Sequence, residues 1–128
     1  MEHWDRLRGD QGFYWDDGLF RPSTDTFLLG SFPVLRRGEQ VCDLGAGTGL
    51  LGALLLTREP SLTVTGLELR EDACRLARRT AQRIHAKAGI VCNGRQAGKT
   101  AGFSGLNAGI FSKGRAGFFY VKRQSHLL

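Results

Sequence analysis

Asp43, Gly45, Gly47 and Gly49 alternate with single residues, and Glu68 stands 25 residues after Asp43. Glycines at alternate positions let a backbone turn sharply and come within contact distance of a ligand, because no Cβ stands in the way. If a helix begins at the end of such a turn, its free N–H groups and partial positive charge welcome a carboxylate or a phosphate. An acid at the end of a neighbouring strand offers two oxygens to the hydroxyls of a ribose. Together these residue types describe a place for a nucleoside-bearing cofactor. A glycine turn that serves packing alone is the plainer reading, and the second acid at this spacing argues against it.

Elements to position these residues are legible around them. Gln40-Val41-Cys42-Asp43-Leu44 reads as a short buried strand, residues 45–49 as a tight turn, and residues 50–57 as an apolar helix. Residues 62–67 are β-branched and apolar and lead into Glu68. Residues 71 to about 84 return to helical spacing through Cys74, Leu76, Ala77, Ala81 and Ile84. Strand, helix, strand and helix with short connections imply a parallel sheet built from right-handed crossovers. Ile90-Val91-Cys92 and Phe118-Phe119-Tyr120-Val121 are candidates for further strands.

Two cofactors compete for this geometry. Gly47-x-Gly49-x-x-Gly52 satisfies the GxGxxG pattern of dinucleotide sites, with Glu68 at about the required distance. Asp43 interrupts the apolar strand before Gly45, however, and sets the register two residues early. An acid there repels a pyrophosphate but can receive the ammonium of an amino-acid cofactor. S-adenosylmethionine is therefore favoured over NAD, and an NAD-binding oxidoreductase fragment stays as the alternative.

Val41-Cys42-Asp43-Leu44-Gly45-Ala46-Gly47-Thr48-Gly49-Leu50-Leu51-Gly52 resembles the first motif of class I S-adenosylmethionine-dependent methyltransferases, and Gly66-Leu67-Glu68-Leu69 resembles their second. The preceding segment, residues 20–29 (FRPSTDTFLL), is similar to the one before the first motif in small-domain methyltransferases that modify amino groups of nucleic acid bases, above all the valine-tRNA adenine-N6 group. The resemblance covers residues 11–82. It implies an α/β, Rossmann-like class I methyltransferase fold with a parallel sheet, expected here to be incomplete at the C-terminus. It also implies methyl transfer to an exocyclic amino group, adenine N6 in tRNA. Asp43, Gly45, Gly47 and Gly49 would hold the methionine end, Glu68 the ribose, and Ser23, Thr24 and Asp25 the other side of the cofactor. Asn93 would touch the adenine. Ser23 and Asp25 serve equally well as helix caps, and Asn93-Gly94 equally well as a turn.

The family's catalytic signature, Asn or Asp followed by Pro-Pro and an aromatic residue, is missing. The prolines of this chain are Pro22, Pro33 and Pro60. Asn107, in Asn107-Ala108-Gly109-Ile110-Phe111, stands near the expected distance from Glu68 and is the candidate catalytic residue. It lacks the rigid prolines on which alignment of the acceptor nitrogen depends. A module that binds the cofactor or a nucleic acid without catalysis is the second reading.

Length and composition frame these expectations. The 128 residues, 41% apolar and 23% charged, suit one soluble domain. No apolar run is long enough to cross a membrane, and the first residues do not read as a secretory signal, so a cytoplasmic location is expected. Cys42, Cys74 and Cys92 form no CxxC and read as reduced thiols; no metal is implied. The net charge of +6 is unevenly spread. Residues 1–68 carry 6 Lys/Arg and 10 Asp/Glu, whereas residues 69–128 carry 12 and 2. A basic face for a polyanion such as RNA, a solubilising tail and an altered carboxyl-terminal region all fit this asymmetry. Three parts are expected. Residues 1–38 hold an aromatic hairpin or lid around the turn Asp16-Asp17-Gly18, and a helix from about residue 24 that Pro33 ends or kinks. Residues 39–93 are the cofactor-binding core, and residues 94–128 a glycine-rich basic tail.

Overall fold

The computed structural model describes residues 1–19, 21–84, 88–92 and 118–122. It opens with an antiparallel hairpin, β1 (Glu2–Arg8) and β2 (Gln11–Asp16), and a helix, α1 (Thr24–Ser31). A β-α-β-α-β series follows: β3 (Gln40–Leu44), α2 (Leu50–Arg58), β4 (Thr63–Glu68), α3 (Glu71–Arg83) and β5 (Ala88–Cys92). The strand β6 (Phe118–Lys122) completes a four-stranded sheet of order β5-β4-β3-β6. β3, β4 and β5 run parallel, as the two helical crossovers require. β6 runs antiparallel to β3, with Asp43 opposite Phe119. The architecture is α/β and Rossmann-like, and its parallel part is the part that carries the glycine turn.

The hairpin forms, but its turn does not lie at Asp16-Asp17-Gly18. The chain reverses at Gly9-Asp10, where Gly9 takes a left-handed φ of 54° in the two-residue connection. Such a connection favours φ > 0 because its twist then matches that of the strands. The Asp-Asp-Gly segment instead closes the hairpin's far end. Gly18 N–H donates to Asp16 Oδ1 at 2.8 Å and Leu19 N–H to Asp16 O at 3.0 Å.

Inside the hairpin, a side chain at Gly12 has no room. A Cβ there would overlap the Asp5 carbonyl oxygen and come within 2.6 Å of Trp4 Cζ2. Gly12→Ala is therefore expected to destabilise the protein by about 1–3 kcal/mol, the usual cost of overpacking. A denaturant titration checks it, and unchanged stability would show that the Trp4 ring moves aside at no cost.

One apolar cluster joins the hairpin to the crossover helices. Phe13, 2% exposed, packs with Val41, Leu51, Leu55, Leu62 and Val64. Tyr14 N–H donates to Thr80 Oγ1 on α3 at 2.9 Å. α1 begins where the capping cluster predicts, with Ser23 Oγ accepting from Thr26 N–H, and it ends at Ser31, ahead of Pro33. Arg58, the last residue of α2, donates to Gly30 O and Pro33 O at 2.7 and 2.8 Å and so ties the two helix ends together. The apolar run of α1 is only partly covered, since Phe27, Leu28 and Phe32 are exposed.

Cys42 is a buried free thiol pushed up to about 11, first by burial and then by the charge of Asp43. Cys74 is disulfide-bonded, which corrects the reading of every cysteine as reduced. Among the described residues no helix is long and apolar enough to cross a membrane.

Candidate cofactor site

The parallel pair β3 and β4 ends with Leu44 opposite Leu67, so Asp43 and Glu68 arrive at the same edge of the sheet. Between them the chain turns through Gly45, Gly47 and Gly49, with φ of 75°, 57° and 85°. These are left-handed values that a residue with a Cβ rarely adopts. Gly45 and Ala46 N–H groups both donate to Leu67 O, at 2.8 and 2.9 Å, which pins the turn to the end of β4. A Cβ on Gly45 or Gly47 would meet nothing within 4 Å, so both face open space. One on Gly49 would stand 3.2 Å from Ala77 Cβ, so α2 starts in close contact with α3.

Asp43 is the electrostatic anomaly of the molecule. Its residue is 3% exposed, and no hydrogen bond reaches its carboxylate from any described residue. Burial, and then the nearby charge of Glu68, raise its pKa to about 7. Buried carboxylates without partners are costly, and a fold keeps one where a ligand or a proton completes it.

Glu68 is arranged differently. Its Oε2 accepts from Gly47 N–H at 2.7 Å, and its Oε1 accepts from Leu69 and Arg70 N–H at 2.8 and 2.9 Å. The carboxylate therefore bridges the glycine turn and the entrance of α3, with its second oxygen toward the turn. Behind the turn lies a hollow of about 20 Å³ lined by Asp43, Ala46, Gly49, Gly66, Ala77 and Thr80. That is room for one water molecule and not for a nucleoside.

Of the residues selected from sequence, the structure brings Asp43, Gly45, Gly47, Gly49 and Glu68 together at this edge. Ser23, Thr24 and Asp25 form the exposed start of α1, where Ser23 acts as the cap. Asn93 and Asn107 lie outside the described residues, as does the glycine-rich stretch from 93 to 117. Sequence reasoning missed Thr80 and Ala77, whose helical spacing from Cys74 marked a buried face without marking what that face touches. Among the described residues no cluster of His, Cys, Asp and Glu could hold a metal ion.

The sequence is similar to the tRNA1(Val) (adenine(37)-N6)-methyltransferase of Glaesserella parasuis serovar 5 (strain SH0165), 43% identical over 61 residues, or 48% of this chain and 26% of that protein. The protein of the same name from Pseudoalteromonas translucida (strain TAC 125) is 41% identical over 51 residues, 40% of this chain and 22% of its own length. The matched region thus spans about a quarter of these curated relatives. Among solved structures, a protein-L-isoaspartate O-methyltransferase aligns over 73% of this chain and 28% of its own, with a TM-score of 0.47 and 19% identity. The family model described as the methyltransferase small domain matches residues 12–103, a stretch that contains both acids and the glycine turn, and the chain belongs to that family.

Proposed function

We propose that this chain binds S-adenosylmethionine at the edge formed by Asp43, the glycine turn and Glu68, and serves methyl transfer to an exocyclic amino group of a nucleic acid base. Adenine N6 in tRNA is the acceptor that the names of its relatives specify. The observation that carries the reading is the buried Asp43 carboxylate, to which no described residue donates a hydrogen bond, beside Glu68. A dinucleotide would bring a pyrophosphate to this place, and two carboxylates oppose it. An amino-acid cofactor brings an ammonium, which the Asp43 carboxylate lacks. The open faces of Gly45 and Gly47 leave room for its backbone-like end.

In this reading Asp43, the glycine turn and Glu68 take their roles from their positions, and the other residues take theirs from the family resemblance. Asp43 accepts hydrogen bonds from the ammonium, directly or through water. The free N–H groups at the start of α2 favour the cofactor's carboxylate. Glu68 accepts from the ribose hydroxyls, and Ser23, Thr24 and Asp25 line the remaining side. Asn93 touches the adenine, and Asn107 accepts from the acceptor amino group. When bound, the cofactor supplies a methyl group activated by the sulfonium, and the protein's part is alignment and exclusion of water. Residues 39–93 form the binding core in this reading, and the cytoplasm, where tRNA resides, is its location.

The missing Pro-Pro-aromatic signature supports one other reading, a module that binds the cofactor without turnover. Incubation with methyl-labelled S-adenosylmethionine and unmodified tRNA separates the two. Label in adenine supports transfer, whereas bound cofactor with unlabelled RNA supports the module.

A further inference from the structure

Four arginines of α3, Arg75, Arg78, Arg79 and Arg83, follow its acidic first turn. Arg75, Arg79 and Arg83 recur every fourth residue, about 6 Å apart along the axis, and so form one row on the helix. The hairpin holds this row in place. Glu2 accepts from Arg75 Nη1 at 2.5 Å and from Arg79 Nη1, and these two hydrogen bonds keep its carboxyl below the usual range. The Arg79 guanidinium lies 4.3 Å over the Tyr14 ring, and that of Arg83 lies 3.8 Å over the Trp4 ring. Arg83 Nη1 also donates to Tyr14 Oη at 2.8 Å.

Each of the three guanidinium groups thus uses one Nη1 donor within the protein. Among the described residues Arg75 and Arg83 have no further hydrogen-bond acceptor, and Arg79 has only Tyr14 besides Glu2. Arg75 and Arg79 side chains are nevertheless 56% and 40% exposed. Three forks, already oriented and with most donors left over, match a row of phosphates along a nucleic acid strand. The ordering entropy of the long side chains is spent in the fold and not on binding. Two carboxylates, Glu2 and the Glu71 that precedes the row, against three arginines leave it positive. It starts about 6 Å along α3 from the helix's first residue, and α3 itself starts beside Glu68.

From this arrangement we infer that the Arg75, Arg79 and Arg83 row, braced by Glu2, Trp4 and Tyr14, is the docking surface for the backbone of an RNA substrate. The inference rests on the reading of the chain as a methyltransferase of nucleic acid bases and assigns that substrate a path across the protein. Contacts of this kind position the RNA without reading its sequence.

The test is fluorescence anisotropy of labelled, unmodified tRNA with the whole chain, without cofactor, from about 50 to 300 mM salt. Affinity is expected to fall linearly with salt on logarithmic axes. Replacing Arg75→Gln and Arg83→Gln together should reduce that slope by about 2 and weaken binding at least about tenfold, with cofactor affinity unchanged. Glu2→Gln provides the opposite sign. It removes the acid that holds Arg75 and Arg79, so tRNA should bind at least about threefold tighter even as the hairpin loosens. If the double arginine variant does not fold, the Glu2→Gln result decides alone. Unchanged tRNA affinity in a folded arginine variant overturns the inference, as does a Glu2→Gln protein that binds tRNA no tighter. So does stronger arginine-dependent binding to vesicles of acidic phospholipid than to tRNA. Label transfer measured on the same variants keeps the two readings apart. Arginine-dependent tRNA binding without methyl label removes catalysis and leaves the surface, whereas label that is indifferent to the arginines removes the surface and leaves catalysis.

Discussion

Asp43→Asn is expected to raise the melting temperature above pH 7 and, in the same protein, to reduce affinity for S-adenosylmethionine by about 100-fold or more. The two effects have one cause. In the free protein Asp43 is buried with no hydrogen bond from a described residue, and its pKa is raised from 3.8 to about 7. The unfolded chain ionises this group near pH 4, whereas the folded chain retains the proton until about pH 7. Between those values the unfolded state binds fewer protons, so this group's contribution to stability falls as pH rises, and it levels off above pH 7. A shift of this size corresponds to about 4 kcal/mol at its full extent. Asparagine carries no charge and escapes that cost. With an ammonium to bind, the sign reverses, because loss of one partner of a buried charge pair typically costs about 2–5 kcal/mol. Wild-type affinity for the cofactor should accordingly rise between pH 6 and 8 as Asp43 gives up its proton. Thermal melts and isothermal titration of both proteins at pH 6 and 8 check the pair of effects. A variant that loses stability and keeps its affinity would make Asp43 a structural residue.

The second large effect is expected at Glu68. Glu68→Ala removes an acceptor of three N–H groups and, by the proposed role, of the ribose hydroxyls. Affinity for S-adenosylmethionine should fall by about 1–3 kcal/mol, the cost of losing charged hydrogen bonds at a partly buried site. Glu68→Gln separates the contributions, since the amide keeps one acceptor oxygen and loses the charge. The Asp43 pKa should drop toward its ordinary value in either variant, because one of its two causes is gone. Competition by adenosine alone gives the direct readout. Wild-type protein should bind it more tightly than Glu68→Ala does, and equal affinity would remove the ribose assignment.

The elements around this site were legible because their signals are local. Alternation and β-branching placed β3 and β4 within a residue of their positions, and the glycine turn between an apolar strand and an apolar helix has few other folds to adopt. The convergence of Asp43 and Glu68 followed from parallel pairing alone. What escaped depends on contacts distant in sequence. Gly9-Asp10 and Asp17-Gly18 are both good reversal signals, and what distinguishes them is which register buries Phe13 against α2 and α3. The antiparallel entry of β6 is a sheet-edge pairing some 75 residues from β3, to which no local pattern points. The row of arginines was visible as positive charge. That Glu2, Trp4 and Tyr14 brace it, about 70 residues earlier in the chain, was not. On α1 the helix itself was legible, but not which side it covers: Phe27, Leu28 and Phe32 stand exposed, because α1 packs against α2 through its far end near Gly30.

The claim that unites these observations is that a buried carboxylate, left without a partner among the described residues, and a second one proposed to bind ribose share one glycine turn. Isothermal titration with S-adenosylmethionine at pH 7, in two buffers of different ionisation enthalpy, addresses it most directly. Half-protonated Asp43 predicts saturable binding with release of about half a proton per cofactor, and no binding of NAD under the same conditions. Absence of heat with S-adenosylmethionine, or binding of NAD in its place, would contradict the account.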